Sequence, residues 1–355
     1  MIKLGIVGMG WGKELHLSGF KKIEPIVISA ICSTNKEKLE EIAANNSIPY
    51  IYTNWEQMIS DNVIDALSIA MPNYLHYPIA LAALDNNLHV LCEKPLALNL
   101  EQANEMYNHA NQNQLTNMIA FPYRYVPGIV KLKERIPQHI GEIYHSSFSF
   151  FIKQNLKDNN LNWHHEKDKT NTDSLSNIGS HLIDLARYLV GEFSEVCGQM
   201  ATFIKHRINY GGLDTLVVTD DVCNFIAKHT TGSLSIISAS KVAHSQRANI
   251  EIKINGSNGS AICLVDVTSN GIIDSQIYLS NPKIRELEIV RDTKSISGIN
   301  IYEQIGRVFY NGINSKIGIK PDFYDGLKVQ EVIDAVIQSV ESNSWVKIDS
   351  VAPEN

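Results

Sequence analysis

The sequence predicts an α/β protein of two domains, and three observations lead to this prediction. Short apolar runs alternate with helix-like segments over about the first 122 residues, which indicates βαβ units and a parallel sheet. A glycine-rich turn at 8–12 follows the first apolar run. Further along, β-rich runs follow one another without helices between them, which indicates an antiparallel sheet. We therefore expect a nucleotide-binding domain at 1–122 and an α+β domain at 123–355.

The first domain is predicted to contain five strands, because five β-rich apolar runs occur there: Ile2–Val7, Pro25–Cys32, Val63–Ala70, Leu88–Cys92 and Leu115–Phe121. Helices are predicted after the first, second, third and fourth runs: Gly12–Phe20, Lys36–Asn45, Pro78–Leu84 and about 99–113. Asn99 and Gln102 have the spacing of a capping box, which predicts where the last of these helices begins.

The second domain begins with a predicted helix at Val126–Arg135 and a strand at Gly141–Ile152, followed by a polar, loop-like stretch at Lys153–Ser176. An amphipathic helix is predicted at Ile178–Val190 and a last one at Gly326–Ser342. Between them, β-rich runs separated by Gly, Asn and Ser turns predict five strands: Glu195–Phe203, Leu213–Ala227, Ser233–Ser240, Ile250–Ile254 and Ala261–Val267.

Composition and charge exclude several classes of protein. The chain is 44% hydrophobic and 19% charged, as in an ordinary globular protein, and its net charge is −7. Lys and Arg form no concentrated stripe, which argues against nucleic acid or an anionic membrane as a partner. The amino terminus leads directly into a strand, so we expect no signal peptide. The five cysteines include no C-x-x-C pair, which indicates reduced thiols and a cytoplasmic location.

The glycine turn, Gly8-Met9-Gly10-Trp11-Gly12, is a candidate for binding the pyrophosphate of a dinucleotide. Glycines at such a turn let the backbone reach the pyrophosphate at a helix amino terminus. The spacing departs from G-x-G-x-x-G, because Lys13 occupies the third position and Gly12 comes one residue early. Many strand-to-helix turns carry glycine simply because it adopts positive φ. The alternation of strands and helices around this turn is what favours nucleotide binding.

A lysine at the end of a predicted strand is the first candidate for chemistry. The run Leu88–Cys92 is followed by Glu93, Lys94 and Pro95. In open α/β sheets, ligands bind just outside the carboxyl ends of the strands. The sequence therefore predicts that Lys94 faces a cofactor and a substrate.

Several motifs together resemble one family, in the order in which that family carries them. They are D-A-L-S-I-A-M-P-N-Y-L-H from Asp65, E-K-P from Glu93, R-Y-x-P from Arg124, G-S-H-x-x-D from Gly179 and D-G-L-K-V-Q-E-V-I-D-A-V from Asp325. The chain resembles the glucose–fructose oxidoreductase / inositol dehydrogenase (Gfo/Idh/MocA-type) family over nearly its whole length. The resemblance implies an amino-terminal Rossmann domain, a second domain with a large open mixed sheet, and NAD or NADP bound at Gly8–Gly12. It further implies hydride transfer at a secondary alcohol or ketone, and homodimers or homotetramers that pair the open sheets.

The catalytic residues are predicted by type and by family position. We assign His181 as the general acid/base, because it titrates near neutrality, and Lys94 as the group that orients the reacting oxygen and stabilises its charge. A desolvated Lys94 acting as the base remains an alternative. Asn177 departs from the family, which usually has aspartate four residues before the histidine. Asn177 therefore either orients the substrate, which we favour, or marks a weakened site in a protein that has become a sensor.

The remaining site predictions rest on the turn and on the resemblance. The predicted cofactor-binding residues are Gly8, Met9, Gly10, Trp11, Gly12, Ser33, Thr34, Lys38, Ala70, Pro72, Asn73, His76, Glu93 and Lys94. The predicted substrate-binding residues are Lys94, Arg124, Tyr125, Trp163, Asn177 and His181. Glu93 alternatively pairs with a neighbouring cation, Arg124 is alternatively a surface arginine, and Asp184 either orients His181 or is a helix-surface acid. His164 and His165 have no further ligand at a persuasive spacing, so no metal site is predicted.

The cofactor is predicted to be NADP in preference to NAD. The second strand ends in Cys32-Ser33-Thr34-Asn35, without the acid that binds the ribose 2′-hydroxyl in NAD enzymes. Ser33, Thr34 and the nearby Lys36 and Lys38 suit a 2′-phosphate instead. Both lysines are alternatively ordinary solvated residues of a helix's first turns.

We thus predict an NAD(P)-dependent dehydrogenase or reductase acting on a CH–OH group of a sugar, inositol or nucleotide sugar. Two other functions remain open. One is a non-catalytic dinucleotide-binding sensor of the same fold. The other is an NAD-assisted lyase or glycosidase, which would regenerate its cofactor within each cycle.

Overall fold

The computed structural model describes residues 1–156, 159–244, 249–267, 271–281, 284–290 and 295–348. Residues 157 and 158 of the expected loop and 349–355 of the expected second domain lie outside these ranges. The chain divides into two compact units. The first unit consists of Met1–Pro122 and Ser297–Gln330, and the second of Tyr123–Ile296 and Glu331–Asn355. This division differs from the expected one because residues 297–330 group with the amino-terminal part of the chain.

The strands of the described residues are β1 (Ile2–Val7), β2 (Ile26–Cys32), β3 (Tyr50–Tyr52), β4 (Ala66–Ile69), β5 (His89–Glu93), β6 (Asn117–Ala120), β7 (Ile143–Phe151), β8 (Phe193–Ala201), β9 (His206–Ile208), β10 (Asp214–Leu216), β11 (Val222–His229), β12 (Leu234–Ser240), β13 (Ile250–Gly256), β14 (Ser260–Val267), β15 (Ile272–Asn281), β16 (Ile284–Val290), β17 (Ile296–Ser297) and β18 (Val346–Lys347).

The α-helices of the same residues are α1 (Ser18–Phe20), α2 (Lys36–Asn46), α3 (Trp55–Ser60), α4 (His76–Asp85), α5 (Leu100–Gln112), α6 (Pro127–Arg135), α7 (Lys167–Thr170), α8 (Ser180–Leu189), α9 (Gly298–Ser315) and α10 (Phe323–Ser342). π-Helical segments occur at Gly12–Leu17, Ile136–Ile140 and Leu175–Gly179. Short 3₁₀ turns occur at Asn73–Leu75, Pro122–Tyr125, Gln154–Leu156 and Trp163–His165.

The first unit is built on a six-stranded parallel sheet in the order β3-β2-β1-β4-β5-β6. This is the strand order of the Rossmann fold, in which the order reverses between β1 and β4 at the place where dinucleotides bind. Asparagine side chains cap its helices: Asn99 accepts a hydrogen bond from Gln102 N at 3.0 Å. The Gln102 side chain accepts from Leu98 N at 3.2 Å. In the predicted capping box it would accept from Asn99 N, one residue later.

Residues 297–330 belong to the first unit because they bind directly to it. The Ile119 amide of β6 donates to Pro321 O at 3.3 Å, and Asn117 accepts from Phe323 N at 2.8 Å. Helix α9, which buries Ile305 and Phe309, was not predicted from the sequence. Strand β3 and helix α3, three and six residues long, were not predicted either.

The second unit contains a large mixed sheet in the order β16-β15-β14-β13-β7-β12-β11-β8-β18. Its β7 and β12 are parallel, whereas the other pairs along this order are antiparallel. Buried and exposed residues alternate along β11, so one face of the sheet carries the core and the other is open. The predicted fold class, a Rossmann domain plus an α+β domain with a large open sheet, is confirmed.

One predicted strand of this sheet is corrected. The run 213–227 was expected to be a single strand, but it forms β10 and β11 with a break between them. The break contains Asp220 and Asp221, whose buried carboxylates accept backbone hydrogen bonds. The Asp220 carbonyl accepts from Ser174 N at 3.0 Å, outside the ladder of β11.

Candidate active site

The turn after β1 is shaped so that only glycine fits at its start. Gly8 has a φ of +95°, and a Cβ there would lie 2.2 Å from the Ala70 carbonyl oxygen. A Cβ on Gly10 would meet nothing within 4 Å, so the backbone at this residue faces open space. A Cβ on Gly12 would lie 3.3 Å from both Ala70 Cβ and Ile6 Cγ2. These features suit a pyrophosphate approached by backbone at the start of a helical segment.

The departure from regular glycine spacing has a structural counterpart. The segment after the turn begins as a π-helix at Gly12–Leu17 and continues as α1. Gly12 provides the close contact with the sheet that the third glycine of the fingerprint normally provides. The Met9 side chain is buried, whereas that of Trp11 is 67% exposed. Met9 therefore offers a ligand only its backbone, and Trp11 is the side chain of this turn that solvent or a ligand can reach.

At the end of β5, the Glu93 carboxylate is bound from two other elements of the first unit. The Tyr302 hydroxyl of α9 donates to Glu93 Oε1, and His16 Nε2 lies 3.0 Å from the same oxygen. His16 Nδ1 lies 2.7 Å from Ser68 Oγ of β4. Burial raises the pKa of Glu93, but the hydrogen bonds of His16 and Tyr302 and the charge of Lys94 outweigh it, so the pKa lies below its ordinary value. The carboxylate thus stays ionised directly before Lys94.

The geometry at Glu93 bears on its two predicted roles. Pairing with a neighbouring ionisable group is what the structure shows, through His16. The Glu93 Oε2 atom lies 3.2 Å from the Lys94 amide nitrogen, which orients the start of the segment that follows β5. A cis peptide bond joins Lys94 and Pro95. Lys94 therefore follows Glu93, the last residue of β5, whose carboxylate is held by His16, Tyr302 and the Lys94 amide.

His76 connects the segments that follow β4 and β5. Its ring is fully buried, with Nδ1 2.8 Å from Pro95 O and Nε2 2.7 Å from Met71 O. Burial lowers the pKa of His76, so its neutral ring donates to one of these carbonyls at a time. Both ring nitrogens are occupied by backbone, so His76 holds the Pro72–Asn73 segment in place and does not present its ring to a cofactor. Asn73 is also buried.

The end of β2 carries the residues that were predicted to bind the 2′-phosphate of NADP. Asn35 caps α2 by accepting from Lys38 N at 2.9 Å, which leaves Ser33 and Thr34 in the turn before the helix. Lys36 lines a cavity of about 250 Å³, together with Leu39, Ile51, Tyr52, Thr53 and Gln57. Its ammonium lies 3.9 Å from Glu40 Oε1 in a solvent-exposed pair, which is a weak interaction.

In the second unit, Asn177 and His181 lie on one continuous helical segment. Asn177 belongs to the π-helical turn Leu175–Gly179, and His181 follows in α8. The His181 ring is buried and packs edge-on against Tyr123, with ring centroids 4.7 Å apart, and near Phe150 at 6.2 Å. The backbone N–H of Asn177 donates to Asp173 O at 2.9 Å. The turn before α8 is therefore anchored at residue 173.

Arg124 and Asp184 form a buried, bidentate ion pair. Arg124 Nε donates to both carboxylate oxygens at 3.1 and 3.0 Å, and Nη2 donates to Oδ1 at 2.6 Å. The guanidinium also lies 5.0 Å from the centre of the Tyr188 ring. Asp184 is thus not a surface acid, because it is buried and fixes Arg124, which is itself not a surface arginine. Burial raises the pKa of the adjacent Tyr125 hydroxyl, which therefore stays protonated.

Trp163 begins a short 3₁₀ turn and stacks on His164, with ring centroids 3.6 Å apart. His165 Nδ1 accepts from Asn162 N at 3.1 Å and completes the cap of this turn. The two histidines have these structural uses, and within the described ranges no group of three His, Cys, Asp or Glu side chains could hold a metal ion.

The second unit contains a buried polar network that was not predicted from the sequence. Its members are nearly or fully inaccessible to solvent: Asn155, Asp173, Asp220, Asp221 and Lys241. Asp173 and Lys241 form an ion pair, and Asn155 donates to both Asp173 and Asp221. These residues are up to 86 positions apart, from 155 to 241, and carry no spacing motif. The Asp220–Asp221 pair inside an apolar, β-rich stretch was the one signal available.

Comparison with known proteins follows the same two-part division. A model of the oxidoreductase family with an NAD-binding Rossmann fold matches residues 2–121, and a model of the Gfo/Idh/MocA carboxy-terminal domain matches residues 129–262. The chain belongs to the Gfo/Idh/MocA oxidoreductase family. The resemblance seen in the motifs is therefore confirmed, and so, at the level of the family, is the predicted class of NAD(P)-dependent dehydrogenase acting on CH–OH groups.

Relatives within this family match over different lengths. Levoglucosan dehydrogenase from Pseudarthrobacter phenanthrenivorans is 27% identical over 99% of both chains. A solved structure of levoglucosan dehydrogenase with NADH and L-sorbose is 26% identical, with a TM-score of 0.91 over 98% of this chain and 99% of that one. An NADP⁺-dependent scyllo-inositol 2-dehydrogenase from Bacillus subtilis is 30% identical over 42% of this chain and 45% of its own. In the described part of the Gfo/Idh/MocA chain, no helix has the length and hydropathy to cross a membrane.

Proposed function

We propose that this protein oxidises a secondary alcohol of a sugar or inositol, or reduces the corresponding ketone, with NADP preferred over NAD. The observation that carries the proposal is the edge of the Rossmann-order sheet. There the glycine turn follows β1, and Lys94 follows β5 beside a fixed, ionised Glu93. Ligands of open α/β sheets bind outside this edge.

The residues of the first unit fit a nicotinamide dinucleotide. The open space at Gly10 and the positive φ of Gly8 allow backbone amides to approach a pyrophosphate. Ser33, Thr34 and Lys38 would hold a 2′-phosphate, with Lys36 beside them in the adjoining cavity. The remaining contacts of the proposed set come from Ala70, Pro72 and Asn73. When bound, the nicotinamide supplies the hydride acceptor or donor of the reaction.

The proton and the reacting oxygen are assigned to side chains of this chain. Lys94 would donate a hydrogen bond to the oxygen and stabilise the negative charge that develops on it. His181 would take the hydroxyl proton during oxidation and return it during reduction. Asn177, Arg124, Tyr125 and Trp163 complete the proposed substrate contacts. Because Arg124 is fixed by Asp184, it would offer a rigid donor.

For the substrate, we propose an uncharged molecule the size of a monosaccharide. Support comes from the full-length similarity to levoglucosan dehydrogenase and from the net charge of −7, which gives an anionic substrate no attraction. Levoglucosan, free inositols and free sugars are therefore the first compounds to test.

The test is turnover of the purified protein with this panel and with nucleotide sugars, read from the absorbance of the reduced nicotinamide. We expect a net change with at least one uncharged compound, a higher kcat/KM with NADP than with NAD, and no turnover after Lys94→Met. Equal values for the two cofactors, or preference for NAD, would refute the NADP assignment. Substrate consumption without a net change in NAD(P)H would instead indicate the lyase or glycosidase.

A sensor is the second candidate, and Asn177 is the observation that favours it. Asn neither accepts a proton nor carries the negative charge of the usual aspartate. The protein would be a sensor if it bound the dinucleotide and a sugar tightly but turned over no compound of the panel with either cofactor.

The proposal includes self-association through the open sheet, as a homodimer or homotetramer, and a cytoplasmic location. Association is supported by apolar side chains on the solvent face of β11 and β12, where Ile226 and Ile236 are 45% and 56% exposed and lie directly opposite each other. The location is supported by five cysteines that form no disulfide.

A further inference from the structure

The segment that leads into Asn177 and His181 is bound by buried charges. Asp173, at its start, has a fully buried side chain that is paired with Lys241 and accepts from Asn155 Nδ2 at 3.1 Å. The Asp173 backbone carbonyl accepts from Asn177 N at 2.9 Å. The position of residue 173 therefore determines where the turn with Asn177 begins.

Asp220 binds the backbone of the same segment. Its Oδ1 accepts from Asp173 N at 2.7 Å and its Oδ2 from Leu175 N at 2.9 Å. Its own carbonyl accepts from Ser174 N at 3.0 Å. Three successive backbone amides thus donate to Asp220. The first of them belongs to Asp173, whose carbonyl accepts from Asn177 N.

Burial raises the pKa of Asp220 to about 6, with a smaller contribution from the negative charge of Asp173. Of the cations nearby, Lys241 is paired with Asp173. Lys167 and Glu341 are charged residues that line a cavity of about 170 Å³, which Asp220 borders.

Three further titratable groups face this network. The adjacent Asp221 accepts from Asn155 Nδ2, Phe203 N and Ile204 N, each at 2.7 Å. His164 Nδ1 lies 3.8 Å from Asp173 Oδ1. Burial, with the charge of Asp220 added, raises the pKa of Cys223 well above its ordinary value, so this thiol stays neutral.

We propose that Asp220 is a positioning residue for the proposed reaction. Its ionised carboxylate fixes the amides of residues 173–175 and thereby the turn that carries Asn177 and leads to His181. The inference rests on the proposed function, because it assigns Asn177 and His181 to the substrate. Asp220 itself need not touch the substrate.

Asp221 provides a matched control. It is the neighbouring residue, its side chain is also buried, and its carboxylate also accepts backbone amides, but those of Phe203 and Ile204 rather than those of 173–175. Asp220→Asn and Asp221→Asn therefore make the same chemical change. The first alters a carboxylate that accepts directly from the backbone of 173–175, and the second alters one that is linked to Asp173 through the Asn155 side chain.

The first measurement is hydrogen exchange of the segment 173–181, read by mass spectrometry in the full chain without substrate. We expect Asp220→Asn to speed the exchange of this segment about tenfold. The substitution replaces a charged acceptor with a neutral one, and its NH2 group, which is a donor, faces the amide of either Asp173 or Leu175. Asp221→Asn is expected to leave this segment within about twofold of the parent. If Asp220→Asn does not fold, Asp220→Glu replaces it: the charge stays, but the longer side chain displaces both acceptor oxygens, so exchange of this segment should again be about tenfold faster than in the parent.

The second measurement is turnover as a function of pH. At pH 8, Asp220→Asn is expected to lower kcat about tenfold with the KM for the cofactor within about twofold. Since a protonated Asp220 resembles asparagine, the ratio of parent to variant should shrink to about twofold at pH 5, given a pKa of about 6.

The outcomes separate this inference from the proposed function. Unchanged exchange of 173–181 in Asp220→Asn, or a parent-to-variant ratio that is constant with pH, overturns the positioning role. Faster exchange together with no turnover of the parent on any sugar or inositol overturns the proposed function and leaves Asp220 without a reaction to serve, which also removes the inference as stated.

Discussion

Asn177 lies where the family usually has an aspartate, on the turn that Asp173 and Asp220 anchor. An asparagine cannot share a proton with His181, but its amide offers both a donor and an acceptor to a sugar hydroxyl. The side chains of this site thus differ in how far the residue type alone predicts their roles. Residue type favours the proposed roles of Lys94 and His181 in alcohol oxidation, whereas the use of Asn177 depends on the substrate.

Changing Asn177 to aspartate tests that use. We expect Asn177→Asp to lower kcat/KM about tenfold, because a lost or misdirected hydrogen bond to substrate removes about 1.4 kcal/mol. Steady-state kinetics with the best substrate of the panel measures the effect. A large gain in kcat would mean that the parent site is damaged and that the aspartate repairs it.

His181→Asn is expected to lower kcat by a factor of about 10²–10⁴, the range that positioned acid–base groups contribute. Cofactor binding should persist, because the glycine turn belongs to the first unit. Nicotinamide fluorescence measures binding and stopped-flow absorbance measures turnover. If kcat survives His181→Asn but disappears in Lys94→Met, Lys94 is the base.

Asp220 also makes a prediction about stability. Its pKa of about 6 in the folded protein exceeds the ordinary value of 3.8, so the folded state binds more protons between these pH values. The carboxylate therefore lowers the free energy of unfolding as the pH rises from about 4 to about 6, by roughly 2–3 kcal/mol in total. Urea denaturation at several pH values should show this dependence in the parent and its loss in Asp220→Asn. Parallel curves for the two proteins would contradict the raised pKa.

At the scale of elements, α9 completes a strand end that lies far from it in sequence. Tyr302 donates to Glu93 from 209 residues away, and His16 reaches the same carboxylate from the segment after the glycine turn. Two elements thus fix the residue before Lys94. A shift in either of them would move the start of the segment that carries this lysine.

Tyr302→Phe is expected to raise the KM for the cofactor several-fold and to lower the melting temperature by a few degrees, because the ionised Glu93 loses a hydrogen-bond donor. Tyr310→Phe on the same helix removes a hydroxyl without touching Glu93 and serves as the control. Kinetics and thermal unfolding measure the two effects. Equal behaviour of the two variants would show that the Glu93 contact has no influence on the cofactor site.

Elements with a strong local pattern could be predicted from the sequence, and those defined by distant contacts could not. Strands β1, β2, β4, β5 and β6 are apolar runs with clear boundaries, and their order allowed a Rossmann sheet to be expected. Strand β3 has three residues and only its last is buried, which leaves no pattern to detect. Asp220 binds residues 45 and 47 positions away, so its role exists only after folding. The Arg124–Asp184 pair, 60 residues apart, was missed for the same reason.

At the scale of the whole molecule, an isolated chain exposes apolar side chains on the open face of the large sheet to solvent. Ile226 and Ile236 face each other across β11 and β12, and Leu234 is 51% exposed on the same strand as Ile236. Apolar side chains grouped in this way typically mark an interface.

Ile236→Asp is expected to weaken self-association by at least about tenfold, because a charge placed in an apolar interface must be desolvated when the copies meet. Val130→Asp, on the exposed side of α6, is the control for the added charge. Sedimentation at several concentrations measures the assembly state. Identical assembly of the parent and both variants would exclude this face as the interface.

The first unit is assembled from two separate stretches of chain, Met1–Pro122 and Ser297–Gln330. One consequence concerns protein engineering and gene recombination. A single crossover near residue 122 would transfer the glycine turn and Lys94 but leave behind Tyr302 and the segment that binds β6. An exchange of cofactor specificity by swapping the whole first unit therefore needs three junctions, after residues 122, 296 and 330. Point changes at the end of β2 are the simpler route.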